Sequence, residues 1–258
     1  MGQLKGQLTY ILSKKKVTLK ELQALTGLLN FCTRAIPAGR AFVRRLYDAT
    51  CGLSKPHHKR RVSLEMRADI KTWLLFLECF NRVTSISYRT VDWSNDFDME
   101  LFTDSAGNIE LGCGAILGKQ WAFMQWPSQW KGLEIIKDIT FLELVPIAMA
   151  FEIWGEKLAG KKVILHTDNQ ALVSILNSNT SKSKRVMHLL RKLVLQGLVH
   201  NIQFKATHII GLHNIKADSI SRQQWSRFRA SFPEAEDHPT LIPWSFRQVI
   251  CDIELMSS

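Results

Sequence analysis

The feature that most constrains this chain is a change in the spacing of its apolar residues. Up to about residue 81 they recur at three- and four-residue steps, the spacing of one helix face. Beyond about residue 97 they come in short runs bounded by turn formers, as in strands. Three such runs, Glu100 to Thr103, Cys113 to Leu117 and Trp121 to Trp126, are separated by turns holding Gly107 and Asn108, then Gly118, Lys119 and Gln120. That pattern predicts three consecutive antiparallel strands. A helix from Thr140 to about Leu158, a strand Val163 to His166, helical stretches Gln170 to Leu176 and Lys184 to Gly197, a strand Ile202 to Ile209 and a last helix near Ala217 follow. The order βββαβαβα implies a mixed sheet with helices packed on both faces.

The first third reads as helices. Thr18 and Glu21 form a capping box ahead of a stripe made by Leu22, Leu25, Leu29 and Cys32, and Pro37 and Gly39 end that helix. A short helix is predicted from Arg40 to Ala49, with Phe42, Val43 and Leu46 inward. The tract KPHHKRR (55–61) reads as an exposed basic loop, and a third helix from Ser63 to about Asn81 buries Leu64, Ile70, Trp73, Leu74, Leu77 and Phe80. Turn formers and acids across 82–97 mark a boundary. Residues 1–90 are therefore expected to form a basic helical segment, 91–230 an α/β domain and 231–258 a tail with no clear period.

Charge follows the same division. The net charge is +11, and residues 1–90 hold 17 Lys and Arg against 5 Asp and Glu, so the whole excess sits there. Such a concentration suits a polyanion, nucleic acid being the commonest, and equally an ordinary solvated surface. The arginines Arg40, Arg44, Arg45, Arg60 and Arg61 are the candidates for phosphate contact. No run approaches the roughly 18 apolar residues of a membrane span, and no secretory cleavage site follows the short apolar piece Leu8 to Leu12. An intracellular protein, cytoplasmic or nuclear, is expected. Five cysteines, 19 or more positions apart and forming no CxxC pair, indicate neither a disulfide framework nor a zinc site.

Four carboxylates occupy equivalent places in the predicted sheet. Asp104 ends the first strand, Glu143 lies in the first turn of the first helix, Asp168 ends the fourth strand and Asp218 starts the last helix. Strand ends and helix starts share one edge of such a sheet, so the four can converge across separations of 39, 25 and 50 residues. Each also admits a structural role: Glu143 as the partner of Thr140 in a capping box, Asp168 as a cap for the helix beginning at Asn169, and Asp104 and Asp218 in turns or caps.

The strings LFTDSAG, ITFLELVPIAMA, VILHTDNQALV and HIIGLHNIKADSISR, in this order, resemble the successive motifs of the retroelement ribonuclease H domain. The closing NIKADSISR is especially similar to the end of that domain in gypsy-type and DIRS-type retrotransposons. LQALTGLLNFCTRAIPAGRAFVRRLYDAT resembles the thumb- or connection-like segment that follows the polymerase palm in DIRS-type reverse transcriptases, so the likeness covers roughly residues 18–225.

The resemblance implies a ribonuclease H-like mixed five-stranded sheet and a metal-dependent endonuclease for the RNA strand of RNA/DNA hybrids. Clustered carboxylates near neutral pH suit a hard divalent cation, so Asp104, Glu143, Asp168 and Asp218 are the expected ligands of two magnesium ions, or manganese. Ser105, Asn169 and Gln170, beside the acids, are candidates for sensing 2′-hydroxyls, and equally turn or cap residues. For the mobile histidine that the resemblance implies ahead of the last Asp, His213 in the loop GLHN is the candidate in preference to His208 on the preceding strand, and equally a plain surface histidine. Lys182, Lys184, Arg185, Arg191 and Lys192 form a basic helical face that could follow a phosphate backbone. Pro146, three residues after Glu143, is tolerable there but could tilt the helix.

No YxDD-like motif is present, so the polymerase palm is missing and no DNA synthesis by this chain alone is expected. Other parts of a retroelement polyprotein are conceivable partners. The alternative function is a catalytically inactive nucleic-acid-binding remnant. An integrase-like nuclease fits less well, because its acids resemble the order Asp, Asp, Glu.

Overall fold

The computed structural model describes residues 2–79, 93 and 98–253. The chain separates into two compact units, 1–91 and 92–258. The predicted contributions of Phe80 and Asn81, and the turn-rich boundary apart from Trp93 and residues from 98 on, lie outside the described residues.

The first unit contains α1 (Gly2–Ser13), β1 (Lys16–Thr18), α2 (Leu19–Cys32), a 3-10 turn (Pro37–Phe42), α3 (Arg44–Asp48), β2 (Lys59–Arg61) and α4 (Leu64–Cys79). The Thr18–Glu21 capping box is present, and Leu22, Leu25 and Leu29 are buried. The expected helix at 40–49 is split into a 3-10 turn and one short α-helix, because Pro37 starts the chain in a tight turn and Val43 lies between the pieces. The basic tract is not wholly a loop. Its last three residues pair antiparallel with β1, Lys16 opposite Arg61 and Thr18 opposite Lys59. Nor is Leu64 buried: it begins α4 with 81% of its surface exposed, while Met66 and Phe76 join Ile70, Trp73 and Leu77 inside.

The second unit is built on β3 (Met99–Ser105), β4 (Gly112–Leu117), β5 (Gln120–Gln125), β6 (Lys162–Thr167) and β7 (Gln203–His208). Their order is β5-β4-β3-β6-β7. The β3–β4 and β4–β5 pairs are antiparallel, and the β3–β6 and β6–β7 pairs are parallel. This is the expected mixed five-stranded sheet flanked by helices. Its helices are α5 (Ile139–Trp154), α6 (Gln170–Ser178), α7 (Lys184–Val199), α8 (Ile215–Ser221), α9 (Trp225–Ser231) and α10 (Trp244–Asp252).

Three packing features position the site. Helix α5 is apolar around nearly its whole circumference and buries residues 141–151 without a break, as a central helix must; it continues through Pro146. Helix α8 lies against β4, where Gly114 leaves no room for a side chain: a Cβ there would be 2.5 Å from Ile220 Cγ2. The 231–258 tail is partly integrated. Trp121 Nε1 donates to the Glu236 carbonyl at 2.7 Å, Thr240 N donates to the Trp121 carbonyl, and Phe246 and Ile250 of α10 are buried.

Candidate active site

Strand β3 carries Asp104 one residue before its end, and β6 ends immediately before Asp168. Because these strands are adjacent and parallel, both acids emerge at the same sheet edge. Glu143 reaches that edge from the second turn of α5. One carboxylate oxygen from each of Asp104, Glu143 and Asp168 lies within 4.8 Å of the others. Asp104 and Glu143 are buried and Asp168 is exposed.

Neighbouring hydroxyls and amides hold the two buried acids. Ser105 donates to Glu143 Oε1 from its hydroxyl at 2.7 Å and its backbone N at 3.1 Å. Thr167 Oγ1 donates to the other oxygen at 3.3 Å, and Ser221 Oγ donates to Asp104 Oδ2 at 2.5 Å. Burial still dominates. It pushes the Asp104 carboxyl up to about 7, with the neighbouring Asp168 and Asp218 charges adding to the rise and the Ser221 hydrogen bond opposing it. Burial and then the Asp104 charge push Glu143 up to about 8. An all-oxygen donor set in which neighbouring charges raise the pKa of Asp104 and Glu143 is what a hard divalent cation relieves, so the residues present fit such an ion.

Asp218 does not join the three. Oδ1 accepts from Arg222 Nε at 2.5 Å and Oδ2 from an Arg227 terminal nitrogen at 2.7 Å. Its position on α8 is set by Asn214, a buried residue whose side-chain nitrogen donates to the Thr103 carbonyl on β3 at 2.9 Å. Ser221, Arg222, Asn214 and Thr167 were not singled out by sequence reasoning. Ser221 and Arg222 stand within NIKADSISR, but their contacts with Asp104 and Asp218 depend on the docking of α8 against β3 and β4.

The alternative capping roles of two acids are not realised. The cap of α5 is Asp138, which accepts from Phe141 N, leaving Glu143 one helical turn further on and directed at Ser105. The cap of α6 is Asn169, which accepts from Leu172 N at 3.0 Å, leaving the Asp168 carboxylate uncommitted to that role. Asn169 and Ser105 are thus structural contacts of the site, whereas Gln170 is exposed beside Asp168.

His213 lies exposed in a 3-10 turn, Gly211–His213, and a Cβ on Gly211 would stand 3.6 Å from Asp168 Oδ2, so the turn borders the acids. The His208 ring is instead bonded to the Asp168 carbonyl at 3.1 Å.

The other predicted cations divide sharply. Lys182, Lys184, Arg40 and Arg61 are exposed, while Arg191 and Lys192 are half-buried. Arg185 is not on a free face: it pairs with the cap residue Asp138 at 3.4 Å and lies over the Phe141 ring. Arg44 pairs with Asp48, and Arg45 pairs with the buried Asp69 at 3.1 Å. Arg60 donates to the Ala49 and Cys51 carbonyls. These four guanidiniums serve the packing of their own units, because a partly buried charge needs a partner.

No protein-family model and no curated protein matches the sequence. Among solved structures the chain is similar to the ribonuclease H1 of the halophilic archaeon Halobacterium salinarum NRC-1, at 15% identity over 48% of this chain and 93% of that one, with a TM-score of 0.36. It is also similar to LC11-RNase H1, solved in complex with an RNA/DNA hybrid, at 13% identity over 48% and 93% of the two chains, with a TM-score of 0.37. Among the described residues, no helix is long and apolar enough to cross a membrane.

Proposed function

We propose that the second unit is a metal-dependent endonuclease that hydrolyses the RNA strand of RNA/DNA hybrids, in a chain related to retroelement reverse transcriptases. The observation that carries this reading is the convergence of Asp104, Glu143 and Asp168 within 4.8 Å. Asp104, Glu143 and Asp168 would hold the cations, with Asp218 completing the set on leaving its arginines. Two divalent ions, magnesium or manganese, supply water activation and stabilisation of the leaving oxygen in phosphodiester hydrolysis.

The protein's own groups do the positioning. Ser105 and Thr167 orient Glu143, and Ser221 orients Asp104. Ser105, Asn169 and Gln170, beside the acids, are the candidates for reading a 2′-hydroxyl, Gln170 being the exposed one of the three. His213, on the turn bordering Asp168, is the candidate for moving a proton during product release.

A second reading, a nucleic-acid-binding remnant without turnover, is favoured by one observation: both Asp218 oxygens are engaged by arginines. One assay separates the two. The purified chain is incubated with labelled RNA/DNA hybrid, duplex DNA and single-stranded RNA, in magnesium, in manganese and in EDTA. Cleavage confined to the RNA strand of the hybrid and abolished by EDTA is expected. Binding without cleavage in either magnesium or manganese supports the remnant, and equal cutting of duplex DNA overturns the ribonuclease H reading.

A further inference from the structure

We propose that the outward face of the β1–β2 ribbon is a binding site for the phosphate backbone of an RNA/DNA hybrid. The register divides the ribbon's side chains between two faces. Val17, fully buried, is opposite Arg60, and the Arg60 guanidinium turns back to the Ala49 and Cys51 carbonyls of the same unit. Strand side chains alternate, so Lys16, Thr18, Lys59 and Arg61 share the other face. Lys16, Lys59 and Arg61 are all exposed. The Lys15 carbonyl accepts from Val62 N at 3.0 Å, which brings a further exposed lysine to the end of the ribbon.

Lys16 stands directly opposite Arg61, a like-charge cross-strand pair that disfavours the ribbon. The neighbouring carboxylate does not compensate it. Glu21 Oε1 accepts from Lys14 Nζ at 2.6 Å and Tyr10 Oη at 3.0 Å, and Oε2 accepts from Thr18 N and Oγ1. Its charge is thereby committed to Lys14 and to the cap of α2. The ribbon thus concentrates cations that pair with no carboxylate among the described residues, in contrast to Arg44 and Arg45, while Arg60 is engaged by backbone carbonyls. A polyanion with closely spaced charges relieves the repulsion and gains from counterion release. The identification of that polyanion as a hybrid rests on the nuclease reading; the binding surface itself does not.

The test measures affinity of the full chain for a labelled hybrid of about 18 base pairs, in EDTA to prevent cleavage, across roughly 50 to 300 mM KCl. The triple variant Lys16→Ser, Lys59→Ser, Arg61→Ser is expected to bind on the order of 10- to 100-fold more weakly at low salt, with the log–log salt slope reduced by about 3, one per cation. A control with equal charge loss, Lys71→Ser, Lys119→Ser, Lys157→Ser, should change affinity less than about 3-fold. Lys16→Arg, Lys59→Arg, Arg61→Lys should retain the parental slope. Each single serine variant should lower the slope by about 1, so the proposal stands or falls even where the triple folds poorly.

A ribbon triple indistinguishable from the control overturns the proposal. So does loss of binding to vesicles containing about one-fifth phosphatidylserine with hybrid binding unchanged, since the surface would then be a lipid site. Normal cleavage with an unchanged salt slope sinks the ribbon site alone. A reduced slope in a chain that never cleaves sinks the nuclease reading alone.

Discussion

Ser221 Oγ donates to Asp104 Oδ2 at 2.5 Å, joining positions 117 residues apart. The bond links α8 to β3 and fixes the direction of a carboxylate that burial would otherwise drive toward its neutral form. Ser221→Ala is expected to cost about 1 to 2 kcal/mol in stability, measured by urea unfolding, and to lower hybrid cleavage roughly 10- to 100-fold, as loss of a ligand-orienting partner does. Cleavage at the parental rate would mean that Asp104 is aimed by other groups.

The raised pKa values of Asp104 and Glu143 predict a pH dependence for the metal-free protein. For an acid whose folded pKa lies above its unfolded value, the folded state retains the proton, and its stability contribution is complete below about pH 4. That contribution is lost as pH rises through the folded values of about 7 and about 8. Unfolding in EDTA should therefore show a fall of several kcal/mol between pH 5 and pH 9, at about 1.4 kcal/mol per pH unit for each acid, smaller in Glu143→Gln. A flat profile would show that the acids are solvated more than their burial implies.

Asp104→Asn and Asp168→Asn should each reduce hybrid cleavage at least about 100-fold while hybrid binding in EDTA and the far-ultraviolet circular dichroism spectrum stay near parental. Near-parental turnover in either variant removes that residue from the proposed cation site.

The two arginines on Asp218 predict opposite effects of neighbouring substitutions on cation affinity. Asp218→Asn should weaken manganese binding measured by calorimetry, and Arg227→Gln, which releases Oδ2, should strengthen it by about 3- to 10-fold. If neither changes the affinity, Asp218 belongs to the packing of α8 and α9 and not to the site.

Gly114→Ala should destabilise the second unit by about 1 to 3 kcal/mol in chemical denaturation, since overpacking forces a backbone shift. The added Cβ would meet Ile220 at 2.5 Å. Displacing α8 also moves Ser221 and Asp218, so cleavage should fall together with stability. A variant as stable as the parent would show that α8 adjusts without strain.

The strands and helices of the second unit are legible in the sequence because local rules suffice for them. Alternation, turn glycines and uninterrupted apolar stretches each act over a few residues. The order of the acids and the strand-end positions of Asp104 and Asp168 follow from that pattern. The first unit is less legible for the same reason: strands of three residues, such as Lys59–Arg61, are too short to display alternation and exist only through pairing with Lys16–Thr18.

By itself, the sequence determined the element order of the α/β unit, the capping box at Thr18 and Glu21, the charge asymmetry and the identity of the acids. Tertiary structure alone decided which charges are available. Arg185 pairs with the helix cap Asp138, Arg45 pairs with Asp69, and Asp218 is held by Arg222 and Arg227 while Asp104, Glu143 and Asp168 converge. The physical reason is that a side chain's charge is encoded locally, whereas its burial and partners depend on which distant segments pack around it.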